Sequence, residues 1–267
     1  MELKNILSTL EGLKVKGDLN IDISNIDSDS RNIKENGLFV AIKGFDVDGH
    51  NYIKEAIKRG AVAVIASIDA DKKLLKEIMD KVTLILAPDT RLALAICACN
   101  FYDNPSRKFK LVGITGTKGK TTTSFMVKRI LEKAGKKVGL VGTIATYIGD
   151  EKLEDSDRTT PESIKLQQLF SRMARENCEV VIMEVSSQSL KLHRVAGCDF
   201  DIGVFTNFSE DHISAKEHPD MKDYFESKLK LFDMCKIGFV NSDDLQTAKI
   251  PRLLPDKNIS TYGTVSY

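Results

Sequence analysis

Residues 113–123 read Gly-Ile-Thr-Gly-Thr-Lys-Gly-Lys-Thr-Thr-Thr and separate a short apolar run from a segment with helical periodicity. The apolar run, residues 110–114, predicts a buried strand that enters this stretch, and residues 121–134 predict the helix that leaves it. At such a junction, consecutive backbone N–H groups and the positive end of the helix dipole face one anion. The stretch therefore predicts a strand, loop and helix that bind the phosphates of a nucleotide.

The side chains of this loop have separate expected roles. Lys120 is expected to place a positive charge at the β- and γ-phosphates, and the hydroxyl of Thr121 is expected to bind Mg²⁺. The general phosphate-loop pattern has a glycine five residues before Gly119, where this chain has Ile114, so the loop is a variant. A glycine-rich turn without a ligand is the less favoured alternative. The expected nucleotide contacts are Gly116, Thr117, Lys118, Gly119, Lys120, Thr121 and Thr122.

The composition is that of a globular protein without a strong charge bias. The 267 residues are 42% hydrophobic, enough for one large or two ordinary domains with a packed core. Lys and Arg number 39 and Asp and Glu 38, so we expect neither a nucleic acid nor a membrane as partner. The five cysteines include no Cys-x-x-Cys pair, which favours free thiols in a reducing compartment over a metal site. With no leader-like segment and no apolar run near the ~20 residues that cross a bilayer, a cytoplasmic location is expected.

The order of predicted elements indicates an α/β protein with two units. Residues 1–108 alternate strands and helices, and the proline and charges at 102–108 are typical of a linker. Residues 109–267 show the rhythm of a mostly parallel sheet with crossover helices. Because ligands gather at the carboxyl ends of parallel strands, we expect the functional residues of the second unit directly after its strands.

Acidic and imidazole side chains follow two strands of the second unit. Glu184 ends a buried run and precedes two serines. A carboxylate there can reach Mg²⁺ at the phosphate loop, although it can also cap the next helix. Asp211 and His212 follow the next strand, where a site role and a capping role are equally open. The Asn-Lys-x-Asp signature of a guanine pocket is absent, which favours ATP over GTP.

Further polar positions stay ambiguous when each is taken alone. Thr159 and Thr160 precede Pro161 at the start of a predicted helix, so their hydroxyls face an anion, or Thr160 only caps that helix. Lys228 lies among other lysines on a predicted helix, and by itself it is expected to be solvated. The histidines for which spacing identifies no partner are His50, His193 and His218.

Taken together, these motifs resemble those of the Mur ligases, ATP-dependent enzymes that join amino acids to a UDP-linked muramoyl precursor of peptidoglycan. The variant loop is this family's own form, Thr-Gly-Thr-x-Gly-Lys-Thr. The resemblance covers essentially the whole chain and is nearest to the member that adds the third residue of the stem peptide. The landmarks, in chain order, are Asp29-Ser30-Arg31, residues 37–44, Asp48-Gly49-His50, residues 115–121, Thr159-Thr160-Pro161, residues 184–187, His193-Arg194, residues 207–212 and residues 224–228.

The resemblance implies a role for each landmark. The first unit is expected to bind the uridine diphosphate of the precursor through Ser30 and Arg31, with His50 nearby. Lys228 matches a lysine that, in this family, carries a carbamate formed with CO₂ and bridges a second Mg²⁺. The expected contacts to the muramoyl-peptide portion are Thr159, Thr160, Ser186 and Arg194. The implied metal ligands are Thr121, Glu184, His212 and Lys228, and the implied catalytic residues are Lys120, His212 and Lys228.

The activity implied by the resemblance is amide-bond ligation. The carboxylate of UDP-N-acetylmuramoyl-dipeptide attacks the γ-phosphate of ATP, and the amine of an amino acid then displaces phosphate from the acyl phosphate. The family has three domains, and this chain is expected to hold the first and most of the second, so that by itself it is expected to be inactive. The alternatives are a non-catalytic module that binds a UDP-sugar or ATP, and the sister ligase that adds a dipeptide.

Overall fold

The computed structural model describes residues 1–211, 213–214 and 217–264. The chain divides into two compact units, Met1–Asp103 and Asn104–Tyr267, and the division falls at the start of the predicted linker. Among the described helices, none is long and apolar enough to cross a bilayer.

The first unit is an α/β layer built on a five-stranded sheet, and the structure describes all of its residues. Its strands are β1 (Lys14–Lys16), β2 (Asn25–Asp27), β3 (Gly37–Val40), β4 (Ala61–Ser67) and β5 (Thr83–Ala87), and its α-helices are α1 (Leu3–Leu7), α2 (Ile53–Lys58), α3 (Lys72–Ile78) and α4 (Thr90–Phe101). The strand order is β1-β5-β4-β3-β2, with β1 antiparallel to β5 and the other neighbours parallel. The central strands are almost wholly apolar and mostly buried, the pattern typical of parallel strands that are covered on both faces.

The second unit is built on a larger sheet. Its strands are β6 (Lys110–Thr115), β7 (Val138–Val141), β8 (Ala145–Ile148), β9 (Glu151–Asp155), β10 (Val180–Glu184), β11 (Phe200–Phe205), β12 (Cys235–Asn241) and β13 (Ile259–Tyr262), and its α-helices are α5 (Lys120–Lys133), α6 (Ser163–Arg175), α7 (Ser187–Lys191), α8 (Met221–Leu229) and α9 (Ile250–Leu253). Over the described residues the order is β13-β12-β11-β6-β10-β7-β8-β9. Only the pairs that involve β8 run antiparallel there.

The strand order brings the carboxyl ends of four strands together. Parallel pairing places Glu184 of β10 beside Ile114 of β6, and Phe205 of β11 beside Thr115 of β6. β7, which ends at Val141, is the other neighbour of β10. The residues that follow these strands therefore emerge at one edge of the sheet, the place where parallel sheets bind ligands.

Helices cover the two faces of this sheet. Leu111 packs into a core with Phe170 of α6, whereas the next residue, Val112, packs into a core with Phe125 of α5. Successive side chains of a strand point to opposite faces, so α5 and α6 lie on opposite sides of β6. The phosphate loop is thereby fixed at the end of a strand that is buried on both faces.

The mostly parallel α/β architecture predicted from the sequence is confirmed, but the antiparallel pair β8 and β9 was not predicted. β9 consists of Glu151–Asp155 and is partly exposed along its length. Its charged residues give no regular alternation of apolar and polar side chains, which is the signal that identifies a strand in a sequence. The helix expected at residues 121–134 begins one residue earlier, as Lys120–Lys133.

Candidate functional site

The loop between β6 and α5 depends on two glycines. Gly116 has a φ of 143° and Gly119, which caps α5, a φ of 82°, values that other residues rarely adopt. A Cβ on Gly116 would lie 2.0 Å from Oγ1 of Thr206, so a side chain there would clash. The glycines allow the chain to pass from strand to helix within Gly116–Gly119 while its backbone stays close to the segment after β11.

The tip of the loop is held by the residues that follow β11. The backbone N–H of Lys118 donates to Oδ1 of Asn207 at 2.9 Å, and Nδ2 of Asn207 donates to the Lys118 carbonyl at 3.0 Å. Oγ1 of Thr206 donates to the same carbonyl at 2.7 Å, and Nζ of Lys118 pairs with Asp211 at 2.9 Å. These bonds fix the main chain of Lys118, which is one of the expected nucleotide contacts.

Two lysines meet at one carbonyl oxygen of the loop. Nζ of Lys120 donates to the carbonyl of Gly116 at 3.0 Å, and Nζ of Lys228 donates to the same oxygen at 2.9 Å. Lys228 is only 1% exposed, and its Nζ lies 4.5 Å from the ring centroid of Tyr224, so it is not the solvated residue expected from its helix alone. Burial lowers the pKa of Lys120, and burial together with the charge of Lys120 lowers the pKa of Lys228 to about 7. Lys228 therefore loses its proton at a much lower pH than a solvated lysine does.

Glu184 lies at the centre of a hydroxyl cluster and is fully buried. Its Oε2 accepts hydrogen bonds from Oγ1 of Thr121 at 2.8 Å and from Oγ1 of Thr143 at 2.9 Å, and its Oε1 accepts from the backbone N–H of Thr143 at 3.0 Å. A Cβ on Gly142 would lie 2.3 Å from Oε1, so a side chain there would displace the carboxylate. Oγ1 of Thr143 also lies 3.1 Å from Oγ1 of Thr159, which connects this cluster to an expected substrate contact.

Thr160 connects β10 to the start of α7. Its Oγ1 donates to the Glu184 carbonyl at 2.9 Å and accepts from the backbone N–H of Ser186 at 3.0 Å. Thr160 is not the residue that caps α6, because that position is occupied by Glu162. The alternative in which Thr160 only caps the helix is therefore excluded. Glu162 also forms an ion pair with Arg194, with Oε1 3.0 Å from Nε.

Six of the predicted site residues line one cavity of about 230 Å³. They come from the phosphate loop, α8, and the segments before α6 and after β10. They are Lys120, Thr159, Thr160, Ser186, Arg194 and Lys228. The other residues that line it are Arg158, Ser187, Gln188, Glu217 and His218. Because four of the lining residues are lysines or arginines, the cavity suits an anionic ligand.

The predicted site residues of the first unit have local partners. The guanidinium group of Arg31 binds the carboxylate of Asp29 through both Nε and Nη2, while Ser30 beside it is buried. Nε2 of His50 accepts a hydrogen bond from the backbone N–H of Ser67 at 3.0 Å, and Nδ1 of His50 lies 2.6 Å from the carboxylate of Asp48. Asp48 therefore holds His50 as the Nδ1–H tautomer, and both ring nitrogens are engaged.

The oxygen atoms at the end of β10 suit a hard cation. The hydroxyl of Thr121 and the carboxylate of Glu184 are adjacent, and Mg²⁺ prefers such ligands. His212, expected to complete this shell, lies outside the described residues. Within the described ranges, no group of three or more His, Cys, Asp or Glu could hold a metal ion.

Sequence reasoning did not assign roles to three residues of this region. Thr143 follows β7 and could have been found by examining the carboxyl end of every strand. Ser187 and His218 line the cavity and are hydrogen-bonded to each other at 2.8 Å. They lie 31 positions apart in the chain, so their spacing gives no sign of the contact.

Comparison with known protein families gives two matches to this chain. The family model described as "Mur ligase middle domain" matches residues 114–266, and the one described as "Mur ligase family, catalytic domain" matches residues 22–102. The first match contains the phosphate loop, the hydroxyl cluster around Glu184 and Lys228. The second match contains Ser30, Arg31 and His50.

Similar proteins agree with these matches. The chain is 46% identical over 98% of its length to UDP-N-acetylmuramoyl-L-alanyl-D-glutamate--2,6-diaminopimelate ligase 1 of Clostridium acetobutylicum and covers 52% of that protein. It is 48% identical over 97% of its length to the corresponding ligase of Caldanaerobacter subterraneus subsp. tengcongensis and again covers 52%. A solved structure of a UDP-N-acetylmuramoyl-L-alanyl-D-glutamate--2,6-diaminopimelate ligase shares its fold, with a TM-score of 0.80 at 20% identity, over 100% of this chain and 53% of the other. The chain thus spans about half the length of the curated relatives that it matches.

Proposed function

The chain belongs to the Mur ligase family, and on that basis we propose that the whole protein is an ATP-dependent ligase that adds the third amino acid to UDP-N-acetylmuramoyl-dipeptide in the cytoplasm. The names of its relatives make 2,6-diaminopimelate the amino acid to test. The observation that carries the proposal is one cavity lined by Lys120 and Lys228 and also by Thr160, Ser186 and Arg194. The triphosphate and the dipeptide carboxylate are both anionic, and a cavity with the cations Lys120 and Arg194 can hold them together for reaction.

The side chains of the cavity have complementary roles in the proposed reaction. The loop N–H groups and Lys120 bind the phosphates and offset the charge that develops during phosphoryl transfer. Arg194, Thr160 and Ser186 orient the muramoyl-dipeptide so that its terminal carboxylate faces the γ-phosphate. The carboxylate attacks phosphorus, ADP leaves, and the amine of the amino acid then displaces phosphate from the acyl phosphate. No side-chain nucleophile is needed.

Four side chains are proposed to hold Mg²⁺: Thr121, Glu184, His212 and, as its carbamate, Lys228. When bound, Mg²⁺ supplies positive charge that screens the repulsion between the carboxylate and the triphosphate. The buried position of Lys228 supports carbamate formation, because CO₂ reacts with the neutral amine that the lowered pKa provides. The nitrogen loses a proton as its bond to the carbon of CO₂ forms, so a neutral amine becomes an anionic carbamate that can bind metal.

The first unit is proposed to bind the uridine diphosphate of the precursor. Arg31 is exposed and can pair with a diphosphate if it leaves Asp29, its partner in the structure. Ser30 offers a hydroxyl beside it. His50 is held by Asp48 and the Ser67 backbone, so its proposed contribution is to shape this region rather than to bind the precursor through a free ring nitrogen.

Phosphate release tests the ligation. The whole protein is expected to release phosphate from ATP only when both UDP-N-acetylmuramoyl-dipeptide and 2,6-diaminopimelate are present. Lys228→Ala is expected to lower the rate by about 100-fold or more, because the carbamate is lost. Short carboxylates that enter the space left by Lys228 are expected to restore part of the rate.

Lys222→Ala is the matched control, since Lys222 lies on the same helix with its side chain 81% exposed. Its rate is expected to equal that of the wild type. Phosphate release that does not require the dipeptide precursor, or a fully active Lys228→Ala protein, would contradict the proposal. Binding of the precursor and ATP without any turnover would favour a non-catalytic module.

A further inference from the structure

Three side chains on the cavity wall form a serine, histidine and carboxylate arrangement that the proposed ligation does not use. Oγ of Ser187 lies 2.8 Å from Nε2 of His218, and Nδ1 of His218 lies 2.6 Å from Oδ2 of Asp223. The three residues come from the start of α7, the segment after β11 and the first turn of α8. A nucleophile within hydrogen-bonding distance of a base, which a third group orients, is the arrangement that activates a serine hydroxyl.

The imidazole of His218 is fixed in one orientation. Its side chain is fully buried, and its ring lies 5.0 Å from the ring of Tyr224. The carboxylate of Asp223 accepts from Nδ1 of His218 and also from Nζ of Lys191, at 2.7 Å. The same Nζ donates to the Glu217 carbonyl at 3.0 Å. A carboxylate accepts only from a protonated nitrogen, so Nδ1 carries the proton and Nε2 presents its lone pair to the hydroxyl of Ser187.

Burial keeps His218 in the form of a base. Burial is the largest effect and lowers the pKa of His218, and the nearby cations Lys191 and Lys228 act in the same direction. The carboxylate of Asp223 opposes them without reversing the shift. The imidazole is therefore neutral at pH 7 and able to accept a proton from Ser187.

The cavity indicates which ligand would meet this serine. Ser187 and His218 line the same space as Lys120, Lys228 and Arg194. The cations Lys120 and Arg194 attract a phosphate group, and a hydroxyl nucleophile attacks an activated carbonyl carbon. An acyl phosphate carries both features in a small molecule, with a carbonyl carbon as electrophile and a dianionic phosphate as leaving group.

We propose that Ser187 is a nucleophile toward acyl phosphates in this cavity, with His218 as its base and Asp223 as the group that orients the base. Oγ of Ser187 bonds to the carbonyl carbon, its proton passes to Nε2 of His218, and the bond to the phosphate oxygen breaks. The imidazolium returns the proton to the departing phosphate. Water then attacks the serine ester with His218 as base, and the proton returns to Oγ as the carboxylic acid leaves. The net reaction is hydrolysis of an acyl phosphate to a carboxylic acid and phosphate.

This activity requires neither ATP nor an amino acid, so it does not rest on the proposed ligation. Acetyl phosphate is a suitable probe, and the 267-residue chain is expected to speed its hydrolysis above the spontaneous rate. Ser187→Ala and His218→Gln are each expected to lower the chain-dependent rate by about 100-fold. Ser189→Ala is the matched control, because Ser189 is a buried serine of the same helix whose hydroxyl donates to the Ser186 carbonyl. It should hydrolyse acetyl phosphate at the wild-type rate.

Two measurements separate catalysis from a structural role. A fluorophosphonate is expected to label Ser187 of the wild-type chain, as read by mass spectrometry of its peptide, and acetyl phosphate is expected to slow the labelling. Added imidazole is expected to restore part of the activity of His218→Ala, which a purely structural histidine would not show. The absence of Ser187 labelling, or a Ser187→Ala chain that hydrolyses acetyl phosphate at the wild-type rate, would overturn the proposal. Neither result would affect the ligation, which is tested by ATP turnover.

Discussion

Thr143 controls the orientation of the Glu184 carboxylate through two hydrogen bonds, one from its hydroxyl and one from its backbone. If the hydroxyl of Thr121 binds a metal ion instead of Glu184, the hydrogen bonds from Thr143 are the ones that still hold the Glu184 carboxylate. Thr143→Val is therefore expected to weaken the binding of Mg-ATP by about tenfold, the usual effect of removing a group that orients a metal ligand. Isothermal titration calorimetry measures this change. Thr143→Ser keeps the hydroxyl and should bind like the wild type, and equal affinity of the valine and serine variants would contradict the role of Thr143.

His218 makes the stability of the chain depend on pH in a known direction. Burial lowers its pKa below the ordinary value of 6.5. Below pH 6.5 the unfolded state therefore binds a proton that the folded state does not, so the free energy of unfolding falls as the pH falls. Between pH 7 and pH 5.5 the free energy of unfolding of the wild type is expected to fall more than that of His218→Gln, as measured by urea unfolding. Parallel pH profiles for the two proteins would show that His218 is not responsible.

At the scale of the elements, the phosphate loop owes its shape to the segment after β11 as well as to its own glycines. Asn207 satisfies both the N–H and the carbonyl of Lys118. Asn207→Ala leaves these two groups without that partner and is expected to weaken ATP binding by about tenfold, which equals about 1.4 kcal/mol. Asn258→Ala, at an exposed asparagine of the same unit, serves as control in the same titration. Unchanged affinity of Asn207→Ala would mean that the glycines alone are sufficient.

The order of the strands explains which parts of the site the sequence could predict. The loop and Glu184 belong to strongly patterned segments, and local pattern was enough to single them out. The expected roles of the two threonines before α6 came instead from the resemblance to one family. The contacts of Asn207 with Lys118 and of Ser187 with His218 join segments that are distant in the chain. They depend on the strand order, in which β6 lies between β11 and β10. Spacing along the chain does not specify that strand order, so neither contact could be read from it.

At the scale of the whole molecule, Lys228 shows how a wider context changes the interpretation of one residue. Its helix contains several lysines, and local sequence predicts a solvated side chain. The fold instead buries it against the Gly116 carbonyl and the ring of Tyr224. The agreement of several distant landmarks with one family predicts a site role that the local sequence of the helix does not. The antiparallel pair β8 and β9 was not predicted, because the charged sequence of the outer strand, β9, resembles that of a loop.

The second unit has its own sheet, with a packed core on each face, and it contains the phosphate loop, Glu184 and Lys228. A polypeptide with residues 104–267 alone is therefore expected to fold and to unfold in one cooperative transition. Its affinity for Mg-ATP should lie within about threefold of that of the 267-residue chain, since the expected nucleotide contacts belong to this unit. Thermal unfolding and titration calorimetry on the two polypeptides provide the test, and Lys120→Ala in the shorter one should abolish binding. A shorter polypeptide that folds but does not bind Mg-ATP would show that the first unit contributes to the nucleotide site.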